Sequence, residues 1–177
     1  MIKLNHLHIA VLSASLLFGG AASALADSTP LSSTDKAFLK SAVQGGLFEI
    51  KTGDYAAENA KYDDVQDLGK TLASDHASLN KKLISFAEDH GYSVPADASA
   101  VTKTKVGALT VLSGGAFDAA YLKALKSAHK TDIKAFKEEA ANGNNSDLRS
   151  LAKDALPTLK HHYKEVRTVE EKLDSKD

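Results

Sequence analysis

The sequence predicts an all-α fold, a single bundle of four long helices. Glycine and proline are scarce within long stretches rich in Ala, Leu, Lys, Asp and Glu. In those stretches apolar residues recur at spacings of three and four, the period of a helix with one buried face. Clusters of Gly, Asn and Ser separate the stretches and supply their stops and starts.

The first segment of the 177-residue chain is read as standing outside the bundle. Lys3 gives a positive start, Ile9 to Phe18 is an apolar run, and Ala24-Leu25-Ala26 is a cleavage pattern of small residues. That order is expected of a secretory signal peptide over residues 1–26, and its apolar run is too short to span a bilayer. A short linker, 27–33, would follow. The expected location is therefore exported, periplasmic or secreted. Removing residues 1–26 takes Lys3 and no acid from 22 basic and 23 acidic residues, so the net charge moves from −1 to −2. Charges of both signs are mixed along the chain, with no basic stripe of the kind nucleic acid requires. No later segment is apolar enough for a transmembrane helix, and nothing in the chain specifies a protein partner. With no cysteine, and Met1 as the single methionine, thiolate and thioether metal sites are excluded.

The bundle is expected over 34–173, with a short tail at 174–177. Its first helix runs from about Thr34 to Ala60, capped by Ser32 or Ser33, with an inner stripe of Phe38, Ala42, Gly46, Glu49, Gly53, Ala56 and Ala60. The second runs from about Asp63 to His90 and stops at Gly91; its stripe is Val65, Leu68, Leu72, His76, Leu79, Leu83 and Phe86. The third, between Gly115 and Asn142, carries Asp118, Leu122, Leu125, His129, Ile133, Phe136 and Ala140. The fourth starts at Ser146 as N-cap and carries Leu148, Ala152, Ala155, Leu159, His162, Val166, Val169 and Leu173, with Pro157 placed to kink it. Short connections make hairpins of the first and last pairs. The 92–113 segment is long enough to cross the length of the bundle, and Val101 to Leu112 within it could form a short helix. A crossover there sets the second and third helices parallel, the arrangement of ferritin-like folds.

Each apolar stripe is broken near its middle by one polar residue: Glu49, His76, His129 and His162. Counted from the helix limits, the four fall at a common height within roughly one helical turn. Two readings stay open. Three imidazoles and a carboxylate could surround one zinc, copper or iron ion, with Asp75 and Asp118 as outer acceptors that fix a histidine tautomer. Alternatively the four could form a metal-free polar network in a structural or interaction module. A di-iron oxidase is argued against, because the residues three before His76, His129 and His162 are Ala73, Lys126 and Leu159, and no Glu-x-x-His pair exists. Gly45, Gly46 and Gly53 beside Glu49 point to close helix approach. His161 is read as part of a solvated face and His90 as a favourable charge at a helix end.

The strings FLKSAVQGGLFEIKTGDYA, LASDHASLNKKL, GAFDAAYLKALKSAH and LAKDALPTLKHH carry these four residues. Together they resemble the bacterial family known as domain of unknown function 4142, over about Lys36 to Val166. The resemblance implies a ferritin-like bundle in the cell envelope and implies no particular reaction. Its outer-membrane label gains no support from the residues, which show neither barrel-type alternation nor a lipidation cysteine. The expected function is an exported bundle protein that binds one transition metal, in metal handling or envelope stress. An enzyme is the least supported alternative.

Overall fold

The structure, a computed structural model, describes residues 30–175. The expected signal peptide, with residues 27–29 of the linker and 176–177 of the tail, lies outside the described residues. Within them the chain is all-helical: α1 (Ser33–Asn59), α2 (Asp63–Asp89), α3 (Ala100–Thr110), α4 (Gly114–Asn142) and α5 (Ser146–Asp174). None of these helices is long and apolar enough to cross a membrane.

The helix limits follow from local chemistry. Ser32 opens α1 by accepting from Asp35 N at 3.1 Å, while the Asp35 carboxylate accepts from Ser32 N at 2.9 Å, a reciprocal cap. At the end of α2, Gly91 takes φ +68°, Gly91 N donates to Glu88 O, and Tyr92 N donates to Ala87 O. That left-handed residue closes the helix as its sequence position predicts. His90 Nδ1 donates to Phe86 O in the same last turn. At α5 the expected cap is displaced by one residue. Asn145, not Ser146, accepts from Asp147 N and Leu148 N, and Ser146 is the first helical residue. Pro157 sits within α5, which continues past it.

Three contacts fix the topology. The Asp118 carboxylate, at the start of α4, accepts from Lys61 N and Tyr62 N in the α1–α2 turn, at 3.1 and 3.0 Å. At the other end Asn144 N, in the α4–α5 turn, donates to Asp35 of α1. Lys172 near the end of α5 pairs with Asp64 at the start of α2. Hence α4 runs antiparallel to α1 and parallel to α2, and the connection between α2 and α4 traverses the bundle. It does so along α1. Gln44 accepts from Ser99 N and donates to Asp97 O, while Tyr55 OH donates to Thr110 O. The 92–113 crossover thus contains α3 rather than an irregular strand of chain.

The buried stripe of α5 matches the sequence reading at every position. In the first half of α1 it is shifted by one, so that Leu39 and Val43 are fully buried while Phe38 and Ala42 are only half-buried. In α2, Asn80 and Ala87 are buried where Leu79 and Phe86 were expected, and Leu79 and Phe86 are half-buried. The apolar core is divided. One cluster joins Ala56, Leu72, Tyr121, Leu125 and Val166; the other joins Val43, Leu83, Phe136, Leu148 and Leu159. On all four long helices the gap between the clusters holds the polar residue identified in the sequence.

Glycines set the spacing of α1 against α2. A Cβ placed on Gly69 would stand 2.7 Å from the Gly53 carbonyl oxygen, and one on Gly53 would stand 2.7 Å from the Gly69 carbonyl oxygen. Neither backbone can retreat without separating the helices. Gly69→Ala is therefore expected to lower stability by about 1–3 kcal/mol despite alanine's better helix propensity. Gly107→Ala, in open space on α3, is expected to raise it by roughly 0.5–1 kcal/mol. Urea midpoints of the two variants check the contrast.

Candidate metal centre

Between the two apolar clusters, α1 contributes Glu49, α2 His76, α4 His129 and α5 His162. Their exposures are 0, 3, 0 and 1 %. The structure brings all four together. Glu49 Oε2 lies 3.0 Å from His76 Nδ1 and Oε1 lies 3.1 Å from His129 Nδ1. These are ion-pair distances, although neither carboxylate oxygen is aligned for a hydrogen bond. The three imidazole rings form a near-equilateral triangle, with centroids 5.4 to 5.5 Å apart.

Each ring has one occupied edge. His129 Nδ1 is 3.0 Å from Leu125 O, an acceptor only, so this nitrogen carries the proton. His162 Nε2 donates to Asp75 Oδ2 at 2.9 Å. His76 Nδ1 faces the Glu49 carboxyl. The opposite nitrogens, His76 Nε2, His129 Nε2 and His162 Nδ1, are buried without a hydrogen-bond partner. One ring nitrogen from each histidine falls within 4.8 Å of the others.

One of the sequence expectations changes place. Glu49, expected as a fourth ligand, stands at the Nδ1 edges of His76 and His129, beside the three-histidine group. Asp118, expected to steady a histidine, instead holds the α1–α2 turn through two backbone N–H groups. Its stripe position carries it about three turns from His129, beyond reach. Asp75 does meet a histidine, but it is His162 across the bundle rather than its chain neighbour His76. His161 is exposed and lies 3.4 Å from Glu165.

Asp132 was missed in the sequence. It is half-buried, faces the Gly45 backbone of α1, and interacts electrostatically with both Glu49 and His76. Its spacing of three after His129 places it on the adjoining face of α4, a signal available from the helical period alone. The Tyr121 hydroxyl, also missed, is fully buried without a partner, and the charge of Glu49 adds to burial in pushing its ionisation up.

Burial sets the protonation states. It lowers His76 to about 4, against the opposing pull of Asp132 and Asp75. It also lowers His129 and His162, although Glu49 and Asp75 respectively pull the other way. The three imidazoles are thereby neutral at neutral pH. Burial raises Glu49, with His129 opposing, and raises Asp132, with Glu49 adding to the effect. At the far end of the bundle, burial and the nearby Asp35 raise Glu139 to about 7.

These shifts oppose one another in acid. The histidines, lowered on folding, contribute stability that is present above about 6.5 and is lost as pH falls. The carboxyls, raised on folding, contribute stability that is present in acid and is lost as pH rises toward 7. Between pH 7 and 5 the metal-free protein is therefore expected to change little in stability. Glu49→Gln removes one compensating proton, so its stability is expected to fall with acid more steeply than wild type, by up to roughly 1.4 kcal/mol per pH unit. Urea titrations in chelator at pH 7, 6 and 5 decide; parallel profiles for the two proteins would exclude the compensation.

The same helical architecture occurs in solved structures. The DUF305 fragment from Deinococcus radiodurans aligns with TM-score 0.69 at 11% identity, over 79% of this chain and 97% of that one. CopM in its Cu(I)-bound form gives 0.66 at 15% identity, over 78% and 96%. CopM in its Cu(II)-bound form gives 0.66 at 14% identity, over 78% and 97%. At such identities the likeness establishes the helical-bundle fold. No curated protein matches the chain. The model for the family described as Domain of unknown function (DUF4142) matches residues 20–169, and the chain belongs to that family.

Proposed function

We propose that this protein is an exported bundle of ferritin-like topology that binds one transition-metal ion between His76, His129 and His162, and that it serves in metal handling rather than catalysis. The observation that carries the reading is the trio of buried ring nitrogens without hydrogen-bond partners, on three rings of which each brings a nitrogen within 4.8 Å of the others. A buried acceptor left without a partner costs roughly 1–3 kcal/mol. A bound cation would satisfy all three at once.

The surrounding groups suit this role. A histidine ligand commonly donates its other ring N–H to a carboxylate or carbonyl, which fixes the tautomer and orients the ring. Leu125 O and Asp75 do this for His129 and His162, and Glu49 stands at the same edge of His76. Burial keeps the rings unprotonated at neutral pH, the state a ligand needs. Glu49 supplies a compensating negative charge beside the ion. Metal–nitrogen bonds of about 2.0–2.1 Å hold tetrahedral ligands roughly 3.4 Å apart, so ring nitrogens up to 4.8 Å apart would draw in on binding.

Three neutral imidazoles without sulfur suit copper(II) and zinc, and copper(II) stands highest in the affinity order of the divalent ions. The CopM neighbours are in Cu(I)-bound and Cu(II)-bound forms, which supports copper as the first ion to test. Among the described residues Glu49 is the one buried glutamate at the level of the histidines, Glu139 lying at the far end of the bundle, which leaves a two-metal oxidase without its bridging carboxylates.

The test is thermal unfolding of the chelator-stripped protein with copper(II), zinc or iron(II). At a free ion concentration a hundredfold above Kd, binding contributes about 2.7 kcal/mol, which for a domain of this size is a rise of roughly 5–10 °C. The rise is expected to disappear in His129→Gln and His162→Gln. An unshifted wild type with all three ions, or an equal shift in both variants, would leave the metal-free polar network as the function of these residues.

A further inference from the structure

The four helices do not enclose the histidines equally. A groove of about 550 Å³ lies between α2 and α5, and its lining includes His76 and His162. Both are almost wholly buried, and each has a ring nitrogen without a hydrogen-bond partner. The groove therefore leads from the surface to two of the three rings. Glu49 and His129, on α1 and α4, line neither this groove nor the smaller one described below. Asp75 links the two environments: its carboxylate is 46 % exposed while it bonds the buried ring of His162. The walls carry three carboxylates, Asp75, Asp147 and Asp154, against the single amine of Lys82.

From this we infer that the α2–α5 groove is the route by which a hydrated metal cation reaches and leaves the histidines, with its acidic walls drawing the cation in. The inference rests on the metal-binding reading and adds direction to it. A cation approaching from solvent meets negative charge at the rim, sheds water as it passes between Asp75 and the apolar side chains of Leu79, Ala155 and Leu159, and meets His162 and His76 before His129. A lowered electrostatic energy along a narrow path raises the association rate, and the gain falls with ionic strength. The outer acids therefore govern how fast the ion loads rather than how tightly it is finally held.

A second groove provides an internal control. It has about 320 Å³, lies between the same helices nearer the start of α2, and is lined by Asp64, Asp67, Thr71 and Thr168 but by none of the three cluster histidines. Its walls carry three carboxylates, Asp64, Asp67 and Glu165, against the two amines of Lys164 and Lys172, so it is the less acidic groove as well as the one that does not reach the cluster histidines.

The experiment is stopped-flow loading of copper(II) into the chelator-stripped protein, read by the ligand-field absorption of the bound ion, with Kd measured separately at equilibrium. Thr158→Trp, on the exposed wall of the first groove, is expected to slow loading severalfold with Kd little changed, while Thr168→Trp in the control groove leaves the rate at the wild-type value. Asp154→Asn is expected to slow loading at low salt and to flatten its salt dependence. If Thr158→Trp also weakens Kd, the charge variant decides alone: an Asp154→Asn rate and salt slope equal to wild type overturns the inference. Equal loading by Thr158→Trp and Thr168→Trp, with copper(II) still bound at equilibrium, overturns the route and leaves the metal site standing. A wild type that binds no copper(II), zinc or iron(II) at equilibrium removes both.

Discussion

A carboxyl group and three imidazoles buried at one level of an apolar bundle are the constraint from which the rest of this structure follows. An isolated carboxylate in such surroundings would carry a desolvation penalty of several kcal/mol. Here the penalty is shared, because two imidazole Nδ1 edges stand within 3.1 Å of the Glu49 oxygens and burial itself moves the carboxyl toward its neutral form. Bringing Glu49 of α1 to His76 of α2 requires the two backbones to approach closely. Gly46 and Gly53 flank Glu49 for this reason: a Cβ on Gly46 would run into the Asn80 amide, and one on Gly53 into the Gly69 carbonyl. Asn80 then donates to Val43 O at 3.0 Å and ties the second helix to the first one turn below the site. Helix propensity is sacrificed locally so that the polar layer can form.

The division of the core into two apolar clusters is the other face of the same constraint. Neither cluster spans the bundle, so register between the helices is set by the polar layer and by devices at the ends. At one end Asp118 fixes the α1–α2 turn to α4, and at the other Asp35 fixes the start of α1 to the α4–α5 turn. Both are buried carboxylates accepting backbone N–H groups that helix ends leave unsatisfied. The bundle is thus pinned at three heights, with apolar packing filling the space between.

The sequence made the architecture legible because periodicity and long-range need agree in the long helices. In α5 the alternation of apolar and charged residues is sharp, and every buried position is readable. In α1 it is blurred by adjacent apolar pairs such as Phe38-Leu39. Phe38 packs edge-on to Phe136 at 5.0 Å near the rim of the core, while the aliphatic Leu39 fills the axis. Local pattern cannot decide between such neighbours, since the choice depends on the helix opposite. The same limit governs the site. A single polar residue interrupting an apolar stripe gives its depth, so Glu49, His76, His129 and His162 were identifiable. Which ring edge faces which partner depends on side-chain torsions and on other helices. Glu49 therefore lies at the Nδ1 edges of His76 and His129, and Asp75 serves the histidine of another helix. Asp118 misled because a buried aspartate near the start of a helix suits a turn-holding role as well as a histidine partner.

The remaining question is why a fold would keep three unpartnered nitrogens in its centre. A polar network whose sole task is to fix register is best when every member is satisfied, since a half-satisfied network is worse than an apolar core. Glu49 with one histidine would already specify the level at which α1 and α2 meet. A third ring from α5, oriented by a carboxylate that reaches the surface, adds an unsatisfied acceptor without adding register that α5's own apolar stripe does not supply. The α1–α2 side of the site is closed by glycine contact, whereas the α2–α5 side opens through a groove. The proposed metal reading accounts for a back closed by glycine contact, ring nitrogens without partners and an approach through the α2–α5 groove, whereas a register device requires neither of the last two.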